Sequence, residues 1–222
     1  MDDLAQDRSG RRGPRFVLVT AMSGVVEQAV DEMRAVLLPA SERSWDGRAG
    51  DVDWTCRATA AHVADDLFSY ASQVISQPKG GYLPIEAMID PAASNVEILT
   101  AIDMCGRLLT LAVDAASPEV RAWHPYGTSD PDGFAAMGIV EVLVHCYDIA
   151  TGLGLDWRPP SPLCAPVLER LFPGAPLGEP SDVLLHLTGR RPLPGFERLT
   201  SWSWDSSMWA RATATTGTEV DS

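Results

Sequence analysis

The sequence predicts an all-α protein: an up-and-down bundle of four long helices with a small C-terminal α(+β) appendage. Three observations lead there. Four long segments carry apolar residues at helical spacing. Each is bounded by proline, glycine or a capping residue. The remaining chain holds only short apolar runs and one alternating Trp-Ser-Trp stretch.

Taken in order, residues 1–14 are polar and charged and read as a disordered tail, with no apolar stretch that would make a signal peptide. A first helix is expected over 17–38, with Val25, Ala29, Met33 and Leu37 on one stripe and Pro39 stopping it. The Gly- and Asp-rich segment 44–54 reads as a loop. Thr55 can cap a second helix, its hydroxyl accepting a free first-turn amide, and Pro78-Lys79-Gly80-Gly81 ends it. A third helix is expected over 93–115, with Ile98, Ile102, Cys105, Leu109 and Ala112 at helical spacing. Ser129 or Asp130 can cap a fourth, where Pro131 in the first turn loses no needed N–H. That helix runs to about Gly152. Short helices are expected over 162–172 and 181–187, with Gly189 as a natural C-cap. Trp202-Ser203-Trp204 suggests a short strand lying on the bundle. The expected organisation is a tail (1–14), a bundle (15–155), a small subdomain (156–211) and a flexible end (212–222).

Composition narrows the partners. The net charge is −13, and Lys79 is the single lysine among seventeen Lys and Arg residues. An acidic chain repels phosphate backbones, so no nucleic-acid partner is expected. No uninterrupted apolar run reaches the length of a membrane span, so no membrane partner is expected either. Cys56, Cys105, Cys146 and Cys164 lie far apart without a C-x-x-C and read as reduced core residues of a cytoplasmic protein.

The fourth helix is the informative one. From Phe134 to Leu153 nearly every residue is apolar or small, and the clear exceptions are Glu141, His145 and Asp148. Offsets of four and three put all three on one stripe. A helix apolar all round is buried, and a buried carboxylate needs a compensating partner. A cation facing the stripe would supply one, and Glu at i with His at i+4 can reach the same ion. His62 sits on the second helix among Ala58, Ala61, Val63, Ala64 and Leu67, with Asp65 and Asp66 three and four residues on, either able to orient its imidazole. His62, Glu141 and His145 make a borderline N/O set that suits zinc and leaves a fourth tetrahedral position open. The competing reading is an ordinary i,i+4 pair and a partly buried histidine. His124, beside Pro125, reads as a surface or lid residue. His186 is expected to face the C-terminal dipole of its helix. Trp54, Trp202 and Trp204 read as core or interface anchors. Arg190 and Arg191 read as solvating a turn. No G-x-S-x-G, P-loop or G-x-G-x-x-G is present.

The run Trp54-Thr55-Cys56-Arg57-Ala58-Thr59-Ala60-Ala61-His62 resembles the helix-two motif of the mycothiol-dependent maleylpyruvate isomerases, part of the wider DinB/YfiT-like metalloenzyme group. The run from Gly138 to Asp148 is similar to that family's helix-four motif, with Glu141, His145 four on and Asp148 three further. Leu187-Thr188-Gly189-Arg190 and Trp202-Ser203-Trp204 resemble the tail of many members. The resemblance implies a DinB-like four-helix bundle. It places zinc-ligand roles on His62, Glu141 and His145, with zinc or another divalent metal as cofactor and mycothiol as thiol cosubstrate. It suggests a thiol S-transferase or isomerase acting on a small electrophile, with Asp66 or Asp148 tuning a ligand or carrying a proton. A non-catalytic metal-binding regulatory or scaffold module and a zinc hydrolase are the rivals. The state is expected to be monomer or homodimer.

Overall fold

A computed structural model describes residues 21–208. The expected tails, 1–14 and 212–222, and the first residues of the expected first helix, 17–20, lie outside them. Within that span there are six α-helices and no strand, so the expected short strand at Trp202–Trp204 is absent. The residues around it form extended coil. An alternating pattern becomes a strand only beside another strand, and this segment lies on helices. Three isolated bridges, such as Ala122 with Ser129, are the remaining extended pairings among the described residues.

Helix α1 spans Met22–Leu37 and gives way to a 3-10 turn, Leu38–Ala40, at Pro39. Helix α2 spans Cys56–Ser76. Thr55 caps it, accepting from the Ala58 amide at 3.0 Å, and Gln77 in the left-handed region (φ 51°) closes it. Helix α3 spans Asn95–Ala115, opened by a capping box in which Ser94 and Glu97 satisfy each other's backbone amides. Helix α4 spans Pro131–Gly152 and is capped by Asp130, which accepts from the Gly133 amide at 2.8 Å. Helices α5 (Ser161–Leu171) and α6 (Pro180–Leu187) follow.

The apolar stripes decide the packing. From Gly133 to Cys146 every residue of α4 is buried, so α4 is the core helix. By length and composition it could cross a membrane, but α1, α2, α3 and α5 enclose it. Helix α2 packs on α3 and α4, and α1 also packs on α3 and α4 rather than on α2. The connection 41–55 therefore links two helices that are not direct neighbours. It is pinned on the way: Trp45 is buried with its Nε1–H on the Ala40 carbonyl, and Arg43 reaches the Leu153 carbonyl at the end of α4. Close approach at the centre requires Gly138, where an added Cβ would lie 2.6 Å from Leu109 of α3 and 3.1 Å from Leu67 of α2. Gly189 (φ 71°) closes α6 and turns the chain back, so that Arg190 projects toward α4.

Asp130 does double duty, capping α4 and pairing with Arg170 of α5 at 2.9 Å. Burial pushes its carboxyl up, but Arg170 and the Gly133 amide outweigh this and hold it below the ordinary 3.8. A depressed carboxyl contributes stability that is complete above its unfolded value and is lost as the pH falls through the folded one. Asp130→Ala is therefore expected to cost about 1–2 kcal/mol near neutral pH in urea unfolding. The difference from wild type should shrink below pH 3.8.

Candidate metal centre

The site forms where α2 and α4 face each other. His62 contributes from the second turn of α2, and Glu141 and His145 from the middle of α4. One ligand atom from each of the three lies within 4.8 Å of the other two. The imidazoles of His62 and His145 stand edge to face, with ring centroids 5.2 Å apart. His145 Nε2 lies 3.1 Å from a Glu141 oxygen.

Each side chain is held from behind. His145 donates from Nδ1 to Asp148 at 3.0 Å, which turns Nε2 toward Glu141 and His62. Asp148 is gripped by Arg190, Nε at 3.1 Å and Nη2 at 2.7 Å, a two-point pair that fixes the carboxylate plane. The Arg190 guanidinium in turn lies 5.1 Å from the Trp202 ring centre. His62 Nε2 lies 3.0 Å from Asp66. The neighbouring Asp65 points elsewhere and accepts from the Ala87 amide at 2.7 Å, so only Asp66 serves the imidazole. The Tyr70 hydroxyl approaches Glu141 at 3.5 Å.

Burial and charge oppose each other here. Burial disfavours protonation of His145, but Asp148 and Glu141 outweigh it and raise the imidazole to about 9. Burial pushes Glu141 up, yet His145 and His62 hold it below the ordinary carboxylate value. Asp66 has no such excess of positive neighbours: burial, then the Glu141 charge, lifts it to about 6. His62 is disfavoured as a cation by burial and raised on balance by Asp66. In protein terms the cluster holds its carboxylates by sharing protons. A divalent cation among the three donor atoms would take the place of the proton between His145 and Glu141. Two imidazoles and one carboxylate, each backed by a hydrogen-bonding partner or contact, fit such an ion.

The cluster lies in a cavity of about 660 Å³ whose walls include Trp54, Tyr70, His124, Tyr126, Arg190, Trp202 and Trp204. Several of these depart from the sequence expectation. His124 is no surface lid residue: it is buried (4% exposed), packed among Tyr70, Phe134, Tyr126 and Trp204. Arg190 does not solvate a turn: its side chain is buried against Asp148. Trp54 is not a core anchor. It is 46% exposed, and its ring meets the edge of His62 with centroids 4.6 Å apart. Trp204 is buried in the core as expected, and Trp202 is half-buried against it. His186 sits in the last turn of α6, as expected, near the Arg191 carbonyl and away from the cavity. Tyr70 went unnoticed in the sequence. Its place four residues after Asp66 on α2 was the available signal.

Comparison with known proteins adds one finding. The family model described as the mycothiol maleylpyruvate isomerase N-terminal domain matches residues 26–150, more than half of the chain and all three donor residues. No curated protein matches, and no solved structure matches.

Removing one partner of a buried ion pair leaves the other charge unpaired. Asp148→Ala is therefore expected to lower stability by about 3 kcal/mol or more. Denaturant unfolding in the presence of a chelator measures this without any contribution from bound metal.

Proposed function

From the premise that the chain belongs to the mycothiol maleylpyruvate isomerase N-terminal domain family, we propose a zinc-dependent enzyme that directs a small thiol, mycothiol, at a small electrophile. It acts as an S-transferase or an isomerase. The observation that carries this reading is the meeting of His62, Glu141 and His145 on the floor of a cavity large enough for a small molecule. Two imidazoles and a carboxylate are a borderline N/O set, and three protein donors leave one position for an exogenous ligand. The chemistry such an ion supplies is deprotonation of a bound thiol, whose free pKa is about 8.5.

The chain's own residues divide the remaining work. Asp148, clamped by Arg190, keeps the Nδ1 proton of His145 in place and so keeps Nε2 facing the other donors. Asp66 orients His62. Asp66 is also the carboxylate beside the donors that is placed to take up a proton released there. Trp54, Trp202 and Trp204 wall the cavity beside the three donor residues. If the thiol adduct is released, the protein is a transferase. If the thiol is expelled after rotation about the attacked bond, it is an isomerase. The four cysteines are free and buried, in keeping with a reducing, cytoplasmic setting.

Purified protein is expected to carry about one zinc per chain by elemental analysis, and His62→Ala to lose it. Asp66→Asn should weaken metal affinity about ten- to hundredfold. In cobalt-substituted protein, mycothiol should produce a thiolate charge-transfer band. A spectrum unchanged by mycothiol would overturn the thiol reading in favour of a water-activating hydrolase or a binding module.

A further inference from the structure

Two non-helical segments, far apart in the chain, wall the cavity on the side away from the helices. The loop 47–55 supplies four consecutive lining residues, Asp51 to Trp54, and the coil 188–204 supplies Arg190, Trp202 and Trp204. The loop is braced from within. The Arg48 guanidinium donates to the Val52 and Asp51 carbonyls at 2.6 and 2.8 Å and pairs with the Asp53 carboxylate at 2.8 Å. The Ala49 amide closes the loop on the Trp54 carbonyl at 2.9 Å. Its base is tied to α2, where the Cys56 amide donates to the Gly47 carbonyl at 2.8 Å. The coil has its own tie: Arg198 Nε donates to the Gly189 carbonyl at 2.7 Å, at the turn that follows α6.

One exposed ion pair joins the two segments. Arg198 Nη1 lies 2.5 Å from the Asp51 carboxylate, and the two side chains are 44% and 71% exposed. Among the described residues no other hydrogen bond or ion pair links the loop 47–55 to the coil 188–204. Water competes for both charges at such a place, so a pair of this kind shifts an equilibrium by only about two- to fivefold. Salt screens it further. The pair also sits where two cavities adjoin. A second cavity of about 460 Å³ is lined by Arg198 and shares Asp51, Val52, Arg190 and Trp202 with the cavity over the donor residues.

We propose that the Asp51–Arg198 pair is a salt-sensitive latch on this cavity. With the pair made, the loop and the coil are held together along the wall that the two cavities share. Trp54 then rests on the edge of His62, ring centroids 4.6 Å apart. With the pair broken, the loop swings as a braced unit about its base at Gly47 and Cys56. Trp54 moves off His62, and the two cavities open into one. The latch governs access to the proposed metal and is indifferent to which ligand enters. It rests on the metal reading only for what it guards, and the loop motion itself needs no metal.

Zinc-loaded full-length protein is mixed with excess 4-(2-pyridylazo)resorcinol, and zinc release is followed by absorbance. In about 20 mM salt, Asp51→Asn is expected to release zinc about two- to fivefold faster than wild type. Raising the salt to about 500 mM should bring wild type up to the variant's rate and leave the variant nearly unchanged. Asp51→Glu keeps the charge and should keep both the slow release and its salt dependence. Arg198→Gln should match Asp51→Asn, and combining the two should add nothing. Equal release from wild type and Asp51→Asn at low salt, or additive effects in the double variant, would overturn the latch. A second readout needs no metal. In metal-free protein, diethyl pyrocarbonate acylates accessible imidazoles, and peptide mass spectrometry follows His62. Asp51→Asn should speed acylation of His62 by about the same factor and leave His186, which lies away from the cavity, unchanged. If the protein holds no zinc yet His62 responds in this way, the latch stands and the metal reading falls. An acylation rate of His62 that is equal in wild type and variant removes the latch.

Discussion

A carboxylate buried in an otherwise apolar helix is the constraint around which this protein is organised. Glu141 lies in the fully buried run of α4, where nothing on its own helix but His145 can compensate it. Placing an ionised carboxylate there is costly unless positive charge or donors surround it. The bundle meets that demand from three directions: His62 from α2, the Tyr70 hydroxyl from the same helix, and the Arg190–Asp148 pair that holds His145 in register. The cluster lines a cavity from which a further ligand can arrive.

The architecture explains why the C-terminal segment belongs to the site. Helices α2 and α4 supply the floor, but most of the side chains that seal it come from elsewhere. Arg190 arrives because Gly189, in the left-handed region, turns the chain at the end of α6. Trp202 and Trp204 arrive on extended coil that runs back over the bundle, where the Asp205 amide bonds to the Leu171 carbonyl and the Ser206 amide to the Tyr126 carbonyl. The same coil clamps the His124 turn through Ser206. The site is therefore a product of segments spread from Asp51 to Trp204 rather than of two helices.

The helices and their ends were legible because their causes are local. Thr55 and Asp130 cap with their own side chains, Pro39 stops α1, and Gly189 closes α6, all within a few residues of the pattern that announces them. Glu141, His145 and Asp148 stood out because polar residues on an apolar helix are exceptional, and His62 because it occupied a similar setting. His124 and Arg190 were misread for a common reason. Loop sequence carries no period, so burial there depends on which distant segment covers it. For His124 that cover is Trp204 and Ser206, some eighty residues away. The Trp-Ser-Trp alternation misled in the opposite sense, since its partner surface is helical. The capping box at Ser94 was open to view in the spacing of Ser94 and Glu97, but the alternative start at Ala93 masked it.

X-ray absorption at the zinc edge of metal-loaded protein tests the central claim most directly. The account predicts a first shell of two imidazole nitrogens at about 2.0–2.1 Å and a carboxylate oxygen at about 2.0–2.2 Å, with one further light-atom ligand that becomes a sulfur at about 2.3 Å when thiol is added. A shell with sulfur before any thiol is present, or one with fewer than two imidazoles, would contradict it.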